Sequence, residues 1–162
     1  MTTIEQEIEI DAPIDVAYDQ WTQFEEFPRF MENVKAVRQL DETRLAWTAE
    51  VGGQDRTWEA KIVEQHHNRL IAWRAIDDEH PSGSVRFEPA DGGQHTRVKL
   101  RMEYEPHGLK EKVGSVLQLD DLEVRRDLQR FKDLVEKRQV PSGEWSGRIE
   151  GGRVTEPDKS DR

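Results

Sequence analysis

The sequence predicts an α+β fold: a curved, seven-stranded antiparallel sheet wrapped around one long C-terminal helix, with two short helices between strands 1 and 2. Three observations predict it. From Val34 to Tyr104 apolar residues recur with a period of two, in short runs joined by Gly-, Asn- and Asp-rich turns, as in an antiparallel meander wet on one face. From about Asp121 the period becomes helical for about 18 residues, roughly 27 Å at 1.5 Å per residue, enough to cross a sheet. One more alternating run, TIEQEIEI, stands at the N-terminus and completes the sheet.

Each element follows from its residues. In the first run Ile4, Ile8 and Ile10 point one way and Glu5, Glu7 and Glu9 the other. Pro13 suits the first position of a helix, and Ile14, Ala17, Tyr18 and Trp21 follow at helical spacing. The next stretch, WTQFEEFPRFMENV, places Trp21, Phe24, Phe27 and Phe30 every third residue around Pro28, which breaks it into a second short helix. The meander then runs through VKAVRQLD, TRLAWTAEV, RTWEAKIVE, LIAWRAI, SGSVRFEP and HTRVKLRMEY. Its inward face reads Leu45, Trp47, Trp58, Ala60, Ile62, Ile71, Trp73, Val85, Phe87, Val98, Leu100 and Met102. From His107 to Gln139 the stripe is Leu109 and Val113, then Val124, Leu128, Phe131 and Val135. Gly114 weakens its first part, and Asp120 with Glu123 reads as a capping box that opens the long helix. Residues 140–162, with four glycines and two prolines, are expected to be a disordered polar tail whose one anchor is Trp145; residues 1–139 form the domain.

Composition narrows the function. A chain of 162 residues, 34% hydrophobic and 36% charged, suits one folded domain. There is no cysteine, hence no disulfide, thiol nucleophile or thiolate metal site. The N-terminus carries no signal-peptide pattern and no run is apolar enough to span a membrane, which fits a cytoplasmic protein. Net charge is −10, and the first 50 residues hold twelve acidic and four basic side chains. Such a surface repels nucleic acid and anionic lipid. None of the five histidines has metal-ligand spacing, so neither metal nor cofactor is expected.

One helix cannot cover seven strands. A sheet curling around it leaves space between the two, and the short helices close one end. The segments IDAPIDVAYDQWTQFEEFPRFMENV and WEAKIVE, in this order, resemble the START-like, helix-grip (SRPBCC) superfamily, which includes polyketide cyclases/dehydrases and coenzyme-Q-binding START proteins. The resemblance covers about residues 3–138 and implies a helix-grip fold with a cavity for an apolar ligand. The aromatic polyketide cyclases place an arginine near position 64 and a tyrosine near position 34, where this chain has Glu64 and Val34.

The expected ligand-binding residues are Trp21, Phe24, Phe27 and Phe30 of the cap, Trp47, Trp58, Ile62, Trp73, Phe87, Leu100 and Met102 of the sheet, and Val124, Leu128 and Phe131 of the helix. The tryptophans could stack on a flat or isoprenoid ligand or simply fill a core. Glu64 shares strand parity with Trp58 and Ile62, so its carboxylate is a candidate acid or base, unless a bulge turns it to water or a helix arginine pairs with it. Three functions follow. The first is binding of an apolar or aromatic small molecule such as a lipid, quinone or polyketide-like compound. The second is a cyclase or dehydratase, and the third is a protein-interaction module using the acidic surface or tail.

Overall fold

The computed structural model describes residues 2–51, 54–76, 82–104, 121–138 and 148–156. Strand β1 (Thr2–Ile10) leads into helix α1 (Ile14–Trp21), a 3₁₀ helix (Phe24–Arg29) and then strands β2 (Val34–Gln39), β3 (Arg44–Val51), β4 (Gln54–His66), β5 (Leu70–Ala75), β6 (Ser82–Ala90) and β7 (His95–Tyr104). Helix α2 (Asp121–Arg138) follows, and a hairpin of β8 (Arg148–Glu150) and β9 (Arg153–Glu156) ends the described chain.

The seven main strands pair antiparallel in the order β1-β7-β6-β5-β4-β3-β2. The sheet curls as a half-barrel around α2, the helix-grip arrangement. Consecutive strands are neighbours because their connections are short, and β1 joins the far side by pairing with β7, Ile8 opposite Val98 and Ile4 opposite Met102.

The period-two pattern sorts the faces as expected. Leu45, Trp47, Ala49, Trp58, Ala60, Ile62, Ile71, Val85, Phe87, Val98 and Leu100 are buried. The outer face is charged and wet. There Glu5 meets Arg101 at 3.6 Å, Glu7 meets Arg97 at 3.8 Å, and Glu88 meets Lys99 at 3.4 Å. These exposed pairs add little stability. They do set the basic row of β7 beside the acidic row of β1, which offsets part of the negative charge counted along the N-terminal sequence.

Helix α2 buries Val124, Leu128, Phe131 and Val135, the stripe read from the sequence. Each such side chain contributes about 1.5–3 kcal/mol on burial. The helix is pinned at its C-terminal end to the β1–α1 turn, where Lys132 Nζ donates to the Glu9 carbonyl (3.1 Å) and Glu136 accepts from the Asp11 amide (2.8 Å). The expected helical stripe at Leu109 and Val113 lies outside the described residues, as do Gly114, Asp120 and Trp145.

The cap is a single aromatic cluster. Trp21, Phe24, Phe27 and Phe30 are all at most 5% exposed. Phe27 stands 5.5 Å from Trp21, 5.6 Å from Phe24, 5.3 Å from Phe30 and 5.4 Å from Trp47, ring centre to ring centre. Phe131 of α2 meets Trp21 and Phe30, each at 5.0 Å. Pro28 sits inside the 3₁₀ helix, whose short turn tolerates the missing donor.

The expectation of a disordered tail is corrected for residues 148–156. Gly151 (φ 58°) and Gly152 (φ 80°) make a two-residue turn that joins β8 to β9. Strand β8 adds to β4, with Ile149 opposite Gln65 and fully buried. β4 is long enough to run past its pairing with β3, which ends at Lys61, and β8 covers the edge left open.

Candidate functional site

A cavity of about 90 Å³ lies between the sheet, the start of α2 and the connection from the 3₁₀ helix to β2. One water needs roughly 10–15 Å³ by this measure, so the space holds several waters or one small ring. Its sheet wall is Trp47, Ala49, Trp58, Trp73, Leu100 and Met102. Trp47 and Trp58 are cross-strand partners with rings 5° from parallel and centres 6.1 Å apart. Ala49 leaves room next to them. Gly83 lets Trp73 and Met102 close together: a Cβ there would stand 2.8 Å from the Trp73 ring and 2.9 Å from Met102 Sδ.

The opposite wall is Val124 and Leu128 of α2, with Trp21, Phe30, Met31 and Val34. Among the described residues, the polar ones that line the cavity are Asn33, Glu123 and Asp127. Asn33 donates its side-chain amide to Glu123. Asp127 accepts from the Glu32 amide (3.4 Å) and from Arg130 (2.8 Å), and Arg130 also reaches Glu32 at 3.1 Å. Burial pushes the Asp127 carboxyl up to about 6, against the Glu32 amide and the Arg130 guanidinium, with Glu123 adding to the rise. Loss of water outweighs the ion pair here because Arg130 stays more exposed and divides its charge between two carboxylates. A second polar feature is the indole of Trp47, whose Nε1–H is buried without a hydrogen-bond partner among the described residues.

The sequence pattern of the polyketide cyclase/dehydrase and lipid transport family matches residues 10–133. The chain belongs to that family. An uncharacterised 17.2 kDa protein from the melC2–rnhH intergenic region of Streptomyces lincolnensis is 37% identical over 150 residues, 92% of this chain and 99% of its own. Among solved structures, DR_A0006 of Deinococcus radiodurans is similar with a TM-score of 0.68 and 27% identity, over 86% of this chain and 98% of that one. The Zhui aromatase/cyclase of Streptomyces sp. R1128 also superposes with a TM-score of 0.68, over 88% of this chain and 98% of its own. Its identity is 18%, so that likeness shows the fold alone.

Of the residues expected to bind ligand in this cyclase/dehydrase-family chain, Trp21, Phe30, Trp47, Trp58, Trp73, Leu100, Met102, Val124 and Leu128 line the cavity. Phe24, Phe27, Ile62, Phe87 and Phe131 do not; they are packed core behind it. The expected inward Glu64 is corrected. A bulge between Ile62 and Glu64 shifts the register of β4, so Gln65 takes the inward position and Glu64 turns outward. Glu64 accepts from His66 (2.9 Å) and from the Gly151 amide (3.1 Å), which hold its carboxyl below the usual range. Gln65, fully buried, donates to the Tyr18 hydroxyl at 3.0 Å, and burial raises that phenol to about 12. The two cyclase-type positions are therefore an outward Glu64 and a cavity-lining Val34, neither of which can polarise a ligand carbonyl inside.

Sequence reasoning left Met31, Val34, Ala49, Asn33, Glu123 and Asp127 out of the ligand-binding set. A signal existed for the last two: they sit one turn apart, each adjacent to a residue of the buried stripe. No helix among the described residues is long and apolar enough to cross a membrane, and no group of three or more of their His, Asp or Glu side chains is placed to hold a metal.

Proposed function

We propose that this protein binds an apolar or aromatic small molecule in the cavity between sheet and α2. The observation that carries the reading is the wall of Trp47, Trp58 and Trp73 around space that no side chain of the described residues fills. A core that only needed to be stable would close such a void, since each empty cubic ångström costs about 24 cal/mol. Membership in a family of cyclases, dehydrases and lipid-transport proteins supports the same class of ligand. The partner is then a small molecule, held away from water in the protein's interior.

The test is native mass spectrometry of protein purified from its own host, followed by extraction of the bound compound. An apolar molecule that co-purifies with the wild type and is lost from Trp58→Ala supports the reading. Wild-type protein that arrives empty and takes up no apolar compound at millimolar concentration defeats it.

One observation favours a second reading, a cyclase- or dehydratase-type enzyme. Asp127 lines the cavity with its carboxyl near 6, where it can accept and return a proton close to neutral pH. In that case Asp127→Asn abolishes turnover of a poly-β-ketone and leaves its binding intact. Glu64→Gln leaves both unchanged, because Glu64 faces away from the ligand.

A further inference from the structure

The cavity is chemically one-sided. Its described lining includes the carboxylates of Glu123 and Asp127 and no lysine or arginine. These two lie one helical turn apart on α2, with the Asn33 amide already given to Glu123. Arg130, beside Asp127, is shared among Asp127 Oδ1, Glu32 and the Phe30 carbonyl. Both hydrogen bonds that Asp127 accepts fall on Oδ1, so Oδ2 keeps its capacity to accept.

The rest of the wall reinforces this bias. Trp47, Trp58 and Trp73 present indole rings, and the face of an indole attracts a cation. Trp47 is 7% exposed, and its buried Nε1–H has no partner among the described residues, a cost that a bound molecule's oxygen or ring would relieve. A carboxylate or phosphate ligand would meet like charge at the helix and find no cation among the described lining residues. A ligand without a hydrogen-bond donor would leave Asp127 Oδ2 unsatisfied, and an uncharged donor would satisfy it without offsetting its charge.

We infer that the cavity selects molecules with an apolar or aromatic body that ends in a cationic, hydrogen-bond-donating nitrogen, an amine held by Asp127 and Glu123 against the tryptophan wall. The inference rests on the cavity being a ligand site and adds the ligand's charge and the end at which it is carried.

Three probes of one length separate the possibilities: 4-phenylbutylamine, 4-phenylbutanol and 4-phenylbutanoate, titrated against the full chain with tryptophan fluorescence and calorimetry as readouts. The amine should bind at least about tenfold more tightly than the carboxylate, with the alcohol between. Asp127→Asn and Glu123→Gln should each shrink that ratio. Glu88→Gln, an equal change of charge on the outer face, should leave it unchanged. Lowering the pH from about 7.5 to about 5 should weaken amine binding while the alcohol holds steady, as Asp127 takes up its proton. The charged groups around it that enter this balance are Glu123 and Arg130 of α2 and Glu32 of the facing connection.

Equal binding of amine and alcohol, or a preference for the carboxylate, overturns the inference and leaves the cavity reading standing. So does an amine preference that neither cavity variant alters, since that would be the field of the whole acidic surface. If none of the three probes binds the folded wild type, the cavity reading and the inference fall together.

Discussion

Replacing Ala49 by leucine tests the cavity from the stability side. Ala49 is fully buried, lines the cavity between Trp47 and the β2 edge, and sits opposite Val34. A leucine there would occupy much of the cavity of roughly 90 Å³. At about 24 cal/mol per Å³ the whole void costs about 2 kcal/mol, which is the upper limit of the gain. Polar residues on the lining admit water, and one side chain does not fill every recess, so about 1 kcal/mol is the expected stabilisation. For a chain of this size that is a rise in Tm of about 2–4 °C. The assay is urea and thermal unfolding followed by circular dichroism, paired with titration of 4-phenylbutylamine. Ala49→Leu should unfold later and bind the probe at least about tenfold more weakly, because the same space cannot hold both. Destabilisation by more than about 1 kcal/mol, the mark of overpacking, together with unchanged binding would refute the reasoning. It would mean that the site was already filled and that ligands bind elsewhere.

Two further outcomes follow from particular contacts. Gly83→Ala should destabilise the fold by about 1–3 kcal/mol, because the new Cβ would meet the Arg101 carbonyl at 2.7 Å, backbone that cannot step aside. Displaced Trp73 and Met102 should also blunt the fluorescence response to the probe, and a fully stable, fully responsive variant would show that the contact is not tight. His95 faces carboxylates with both ring nitrogens, Glu9 at 2.9 Å and Asp11 at 3.1 Å, which raises its pKa above the ordinary 6.5, mainly through the Glu9 hydrogen bond. That contribution is complete below the unfolded value and is lost as pH rises through the higher folded one. Glu9, lowered mainly by the same bond, contributes above its own unfolded value and loses that as pH falls. The stability gap between wild type and His95→Gln, measured by urea unfolding across pH, should therefore be widest between about pH 5 and 6 and close toward pH 9. A gap that widens with pH would show that the imidazolium is not what these carboxylates hold.

The parity of β4 shows where sequence reasoning reaches its limit. Alternation along WEAKIVE put Glu64 inside, and the same rule placed Trp58, Ala60 and Ile62 correctly. One extra residue in the ladder at Val63 reversed everything beyond it. A bulge leaves almost no trace in composition, because it is set by what each neighbouring strand needs. β4 pairs with β5 on one edge and, at Glu64 and Gln65, with β8 on the other. The hairpin that supplies β8 was legible only as the dipeptide Gly151–Gly152 in a stretch that otherwise reads as tail. Its strands are too short to show a period.

By itself the sequence determined the seven main strands, the wet and dry faces, the buried stripe of α2 and the aromatic cap. These depend on local period, and burial of apolar surface enforces that period wherever the chain lies. Which rings face empty space and which face each other was decided only by the tertiary structure. Phe27 and Phe131 are as apolar as Trp47 and Trp58, yet they pack among other rings while the tryptophans stand at the cavity. The difference is where a curled sheet parts from a straight helix, and no single segment carries that geometry. The acidity of the site arose the same way. Asp127 is one carboxylate among many in the sequence, and it becomes distinctive when the start of α2 sets it beside the tryptophan wall with too little water to keep it fully charged.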